Sequence, residues 1–132
     1  MKVVIDASAG VAAVVGRDSS PAILDVLAEA TVVIAPELYV AEVTSGLWKY
    51  VTAGQLPVDD ATDRLDAALK LVDRREPAAN LAQEVLREAA ARRHSPYDLF
   101  YVVLARREGG AVLTIDSRLR KLAGAMALSV HP

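Results

Sequence analysis

SPYDLFYVVLARREGGAVLTIDSRL, residues 95–119, is the stretch whose reading decides the fold. Ser95 is a candidate N-cap with Pro96 at the first helical position, and Gly109-Gly110 is a C-terminal stop. The run Ala111 to Ile115 is short, apolar and rich in branched residues, as a buried strand requires. A helix of about 13 residues descends roughly 20 Å, and a strand of about five residues climbs back by roughly 17 Å. Asp98, near the helix start, and Asp116, just past the strand, therefore return to the same level. Two carboxylates far apart in sequence become neighbours on one edge of the fold.

Outward from this unit the same alternation recurs. Lys2 to Ile5 is a β-branched run that ends in Asp6, and the small residues Ala7 to Ala13 predict a short helix. Ser19-Ser20-Pro21 opens a second helix through Ala30, and Thr31 to Ala35 is a second strand closed by Pro36. Helices are predicted from Glu37 to Ala53, where Gly54 stops the chain, and from Pro57 to Asp73. A short edge strand is placed within Leu71–Glu76, a helix over Pro77–Arg93, a short helix over Ser117–Gly124 and a last strand over Ala127–Val130. Strands separated by helices predict a three-layer α/β/α sandwich with a mostly parallel sheet of four to five strands. No repeat, low-complexity tract or long linker divides the chain, so one domain over residues 1–132 is expected.

In open α/β sheets the ligand site lies at the carboxyl ends of the strands. Asp6 follows the first strand there and Asp116 follows the strand after the central helix. Asp98 returns to that edge by the length argument, and Glu42 lies early in the helix leaving the second strand. Each acid also has a structural explanation. Ser95-Pro96-Tyr97-Asp98 fits a capping-box pattern, and Asp6 and Asp116 stand where they could cap the helices that follow them. Glu42 is the exception, because its helical neighbours Leu38, Tyr39, Ser45 and Gly46 include no cation. Converging carboxylates repel one another, burial raises that cost, and a divalent cation removes it.

Composition narrows the chemistry. With no cysteine, disulfides, thiolate metal sites and cysteine nucleophiles are excluded. His94 and His131 are too few for a zinc site of nitrogen ligands, so a bound metal would need oxygen ligands and would be a hard cation. Aromatic residues make up 5% of the chain, which argues against base-stacking platforms. The net charge of −2 gives no global pull towards nucleic acid, yet Arg92 to Lys121 holds seven basic residues against three acids. The opening MKVVIDASAGVAAVVG has a charged start and small residues, but Asp6 interrupts it and it is too short to span a bilayer. A soluble cytoplasmic protein that avoids membranes is expected.

These residues together resemble a PIN domain, most closely the VapC-type toxins of toxin–antitoxin pairs, over nearly the whole chain. VVIDAS resembles the family's first motif, with its acid at Asp6, and PELYVAEVTSGLWKYV resembles the helix that carries its glutamate, at Glu42. SPYDLFYVVLA resembles the third motif, with Asp98 and Tyr101, and LTIDSRLRKLA the fourth, with Thr114 and Asp116. The resemblance implies an endoribonuclease dependent on Mg²⁺, or Mn²⁺ as substitute, in which Asp6, Glu42, Asp98 and Asp116 hold the metal. Asp6 and Asp98 are expected as the more direct ligands, with Glu42 or Asp116 orienting a water. Ser8, Thr114 and Ser117 either help order metal or water or cap helices. In-line attack by water would leave 5′-phosphate and 3′-hydroxyl ends. The resemblance further implies an RNA substrate, a cognate antitoxin and a homodimer. The stripe Tyr39, Leu47, Trp48 and Tyr50 offers either a partner surface or core packing.

Three other readings compete. A phosphoaspartate receiver would need clustered acids after the first strand and a lysine after the last, and this chain has neither. A dehalogenase-type phosphatase would need D-x-D where the chain has Asp6-Ala7-Ser8. A metal-free binding module would use the acids only as caps.

Overall fold

In the computed structural model, which describes residues 1–132, five strands form one parallel sheet. They are β1 (Lys2–Ile5), β2 (Val32–Pro36), β3 (Arg74–Glu76), β4 (Ala111–Leu113) and β5 (Val130–His131), in the order β3-β2-β1-β4-β5. The helices are α1 (Ala7–Val15), α2 (Ser20–Glu29), α3 (Leu38–Thr52), α4 (Val58–Lys70), α5 (Ala82–Arg92), α6 (Pro96–Glu108) and α7 (Ser117–Ala125). β1 is central because its residues Val3, Val4 and Ile5 are fully buried and bond on both sides, to Val33 and Ile34 and to Ala111, Val112 and Leu113. A parallel strand covered on both faces has to be a continuous apolar run, and β1, β2 and β4 are such runs.

The crossovers assign the faces. From β1 the chain steps outward through β2 to β3, and right-handed connections put α1 to α4 on one face. It then returns past β1 to β4 and β5, which puts α5, α6 and α7 on the other. The packing agrees: α1 packs against α2, α3 and α4, whereas α5 and α7 pack against α6. The resulting sandwich has the predicted architecture. α6 is buried on nearly all sides, with Leu99 and Tyr101 to Ala105 inside and only its ends polar.

Several boundaries differ from the sequence reading, each for a local reason. β4 ends at Leu113 rather than Ile115. The carbonyl of Leu113 accepts the amide of Asp6, the last rung before β1 turns into α1. The amides of Ile115 and Asp116 turn instead to the hydroxyls of Ser8 and Thr114. The last strand begins at Val130 because Ala127 adopts a left-handed φ of 59° and its neighbours close the end of α7. The predicted helix over 77–93 is a 3-10 turn at Ala78–Asn80 followed by α5, with fully buried Leu81 at the joint. α4 stops at Lys70, which frees Asp73 to accept the Val33 amide at 2.8 Å and dock β3 beside β2. Ser95 occupies the N-cap of α6 without a side-chain capping bond, so the capping-box reading of Asp98 does not hold.

Candidate active site

Asp6 is the innermost acid, 5% exposed at the junction of β1 and α1. It caps α1 as the sequence allowed, since Oδ1 accepts the Ala9 amide at 2.9 Å. The Ser8 hydroxyl donates to the same carboxylate at 2.8 Å, and the Thr114 hydroxyl donates to Oδ2 at 2.7 Å. Those two hydroxyls accept from the chain beyond β4: Ile115 N–H donates to Ser8 Oγ at 3.2 Å and Asp116 N–H to Thr114 Oγ1 at 2.9 Å. Two relays thus tie the β4–α7 connection to Asp6 and fix where Asp116 stands. Ser8 and Thr114 therefore do not cap helices. A hydroxyl that donates to one group and accepts from another suits this bridging role. Ser117 makes no side-chain hydrogen bond.

The other acids complete the rim. Glu42, on α3, is half-buried and accepts the Tyr101 hydroxyl on Oε1 at 2.5 Å. The partner it lacks on its own helix thus comes from α6, across the sheet edge. Asp116 caps α7 by accepting the Arg118 amide on Oδ1 at 2.9 Å. Asp98, on the first turn of α6, accepts no hydrogen bond. His94 Nε2 and a guanidinium nitrogen of Arg118 stand 3.7 and 4.0 Å from its Oδ2, within reach of a charge–charge attraction but too far to donate a hydrogen bond.

The electrostatics record the crowding. Burial pushes the Asp6 carboxyl up to about 6, a rise opposed by its three donors and reinforced by the charge of Asp116. Burial also raises Glu42, the Tyr101 bond opposes this, and the charges of Asp98 and Asp116 add to it. Asp98 is raised first by desolvation and then by Asp116, against the pull of His94 and Arg118. Four acids from four segments accordingly feel one another at one edge. They do not form a cage, since no three His, Asp or Glu side chains are gathered closely enough to enclose an ion. Asp98 as a whole, Oε2 of Glu42 and Oδ2 of Asp116 accept no hydrogen bond from the protein, whereas both oxygens of Asp6 are already engaged by Ser8, Ala9 and Thr114.

The basic stretch separates in space. Arg106 and Arg107 point away and pair with Glu84 and Glu88 on α5, and Arg120 donates to the Thr114 carbonyl. Arg92, His94, Arg118 and Lys121 line a cleft of about 420 Å³ beside Asp98. Arg17 and Lys49, which the sequence reading passed over, line a second cleft of about 220 Å³ with Ser8 and Glu42. Nothing in the local sequence marks them, since a lone cation on a helix or turn is usually a solvated one. The aromatic stripe divides too. Tyr39 and Leu47 are core, while Trp48 is 61% exposed above an apolar cleft between α3 and α4.

Residues 3–125 match the PIN domain family. Over 123 residues the chain is 32% identical to Ribonuclease VapC3 of Pyrobaculum aerophilum, covering 90% of this chain and 92% of that one. It is 34% identical over 123 residues to Ribonuclease VapC1 of Mycobacterium tuberculosis, covering 92% and 90%. Among solved structures, PAE2754 from Pyrobaculum aerophilum superposes with a TM-score of 0.69 at 23% identity, over 96% of this chain and 90% of that one. Mycobacterium tuberculosis VapC20, described as a sarcin–ricin-loop-cleaving toxin, gives 0.70 at 19% identity over 98% and 99%. At these identities the two structures speak for the fold alone.

Proposed function

The chain belongs to the PIN-domain family of VapC-type ribonucleases, and from that premise we propose that it is a toxin endoribonuclease whose reaction takes place at Asp98, Glu42, Asp116 and Asp6. The observation that carries the reading is Asp98. It is a half-buried carboxylate that caps nothing and accepts no hydrogen bond, and burial and the charge of Asp116 raise the cost of ionising it against the pull of His94 and Arg118. A structural role explains Asp6 and Asp116 in part, and a metal-free binding module would need no more than those two caps. It leaves Asp98 and the free oxygen of Glu42 without a purpose.

The donor set is all oxygen, which suits Mg²⁺ or Mn²⁺. Mg²⁺ keeps several waters and takes one or two carboxylates rather than a full protein cage, which agrees with a rim of spaced acids. When bound, such an ion supplies an acidified water and neutralises charge on the phosphate. Asp98 and the free oxygens of Glu42 and Asp116 would hold it, directly or through water. Asp6 would act chiefly from behind by holding the Ser8 and Thr114 relays, where the sequence reading expected it, with Asp98, among the more direct ligands. Tyr101 keeps Glu42 oriented. The expected products carry 5′-phosphate and 3′-hydroxyl ends.

The partners proposed are a cognate antitoxin and a second copy of the chain, and the cleft under Trp48 is an apolar surface for one of them. No helix is long and apolar enough to cross a membrane, and a cytoplasmic location is proposed with the toxin reading. The deciding experiment pairs cleavage of RNA with Mn²⁺ titration calorimetry. The wild-type chain should cleave and bind the ion, and Asp98→Asn should keep the fold and lose both. Undiminished cleavage by that variant, or by the wild type in excess chelator, would overturn the assignment.

A further inference from the structure

The two basic clefts lie on opposite faces of the sheet and border the acidic rim at different acids, one at Glu42 and the other at Asp98. The first is built from Arg17, past the end of α1, and Lys49 on α3, and it shares Ser8 and Glu42 with the acidic rim. The second is built from Arg92 at the end of α5, His94 in the α5–α6 connection, and Arg118 and Lys121 on α7, and it reaches the rim where His94 and Arg118 face Asp98. α1 and α3 cover one face and α5 and α7 the other, so the acids stand between the clefts. Arg17, Lys49 and Lys121 have no carboxylate partner and Arg118 faces only Asp98 on the rim itself, at 4.0 Å, whereas Lys2, Arg74, Arg75, Arg106 and Arg107 are paired with other acids.

We propose that a single RNA strand crosses the acidic rim from one face of the sheet to the other, its backbone phosphates on one side of the cut held by Arg17 and Lys49 and those on the other side by Arg118 and Lys121. The proposal rests on the nuclease reading above and adds to it the path and the positioning residues. The physical case is charge. A rim of four acids repels a polyanion, so the strand needs compensating cations close by, and a strand that enters and leaves needs them on both flanks. Guanidinium and ammonium groups are the groups that bind phosphate oxygens. Neither cleft is an apolar groove of the kind that takes a protein helix: hydrophobic residues are two of the six lining the α7 cleft and three of the eight lining the α3 cleft.

The test uses the full chain on an Asp98→Asn background in Mg²⁺, with labelled single-stranded RNA and affinity measured as a function of salt. Lys49→Gln and Lys121→Gln should each lower the slope of log affinity against log salt by about 0.7, and the double variant by about 1.4, as for two independent phosphate contacts on a single strand. In a cleavage assay with Asp98 intact, substrates shortened on one side of the cut should lose sensitivity to one lysine and keep sensitivity to the other. A slope that changes for one lysine alone, or substrates that lose both sensitivities together, would overturn a two-sided path. Unchanged slopes in both variants would leave the clefts to an acidic protein segment and overturn the proposal while the nuclease reading stands. Continued cleavage by Asp98→Asn would instead strike the nuclease reading itself.

Discussion

At the scale of single residues, Asp6 shows how one side chain can serve the fold and strain it together. Its three donors hold it in place, yet burial lifts its proton affinity to about 6, against an ordinary value of 3.8. Because the folded state binds this proton more tightly than the unfolded chain, stability is favoured below pH 3.8 and declines as pH rises to about 6. The full cost, above that window, is on the order of 3 kcal/mol. Asp6→Asn removes the charge and keeps a competent N-cap, since Asn caps as well as Asp. It also weakens the bonds from Ser8 and Thr114, for a loss of about 1 kcal/mol. The net expectation is a metal-free variant more stable than wild type by roughly 1–2 kcal/mol at pH 7.5, an advantage that vanishes near pH 4. Thermal denaturation across that range checks it, and a variant less stable than wild type at pH 7.5 would refute the account. The acids themselves were legible in the sequence, because spacing alone returns them to one edge. Their partners were not: the Tyr101–Glu42 bond spans 59 residues and the Thr114–Asp6 bond 108, and no local pattern encodes such pairs.

At the scale of elements, the site depends on how closely α1 approaches α3. A β-carbon built on Gly10 would lie 3.0 Å from Cε2 of Tyr39 and closer still to its hydroxyl. Tyr39 cannot retreat, because its ring is fully buried and its hydroxyl donates to the Ala68 carbonyl at 2.8 Å. Gly10→Ala sets two effects in opposition. Helix propensity gains about 1 kcal/mol, while overpacking a rigid aromatic costs about 1–3 kcal/mol. The second should win, with a lower denaturation midpoint and α1 displaced from the helix that carries Glu42. A stabilised Gly10→Ala would show that the contact gives way. Elements of this kind were largely readable, because β-branched runs bounded by proline and glycine leave few alternatives. Where boundaries moved, as at β4 and β5, the backbone had found a side-chain or turn partner that strand propensity does not register. The aromatic stripe of α3 could not be sorted in advance, since helical spacing says that Tyr39 and Trp48 differ in direction but not which one the core will take.

At the scale of the whole molecule, the fold brings mutually repelling acids to one end of a protein whose net charge is only −2. Bulk charge therefore predicts little response to divalent ions, and the rim predicts a specific one. An ion that binds the folded state alone stabilises it by about 2.7 kcal/mol at a hundred times its Kd. For a domain of this size each kcal/mol moves the midpoint by roughly 3–5 °C, so Mn²⁺ should raise the melting temperature by roughly 10 °C. Diffuse screening is separated from site binding by sodium chloride at matched ionic strength, which should reproduce little of the shift, and by Asp98→Asn, which should abolish most of it. Asp6→Asn then gives the sharper contrast, being more stable than wild type without the ion and gaining less from it. Equal shifts in wild type and both variants would mean that the ion acts on the surface at large, and the convergence of acids would have to be read as capping and nothing more.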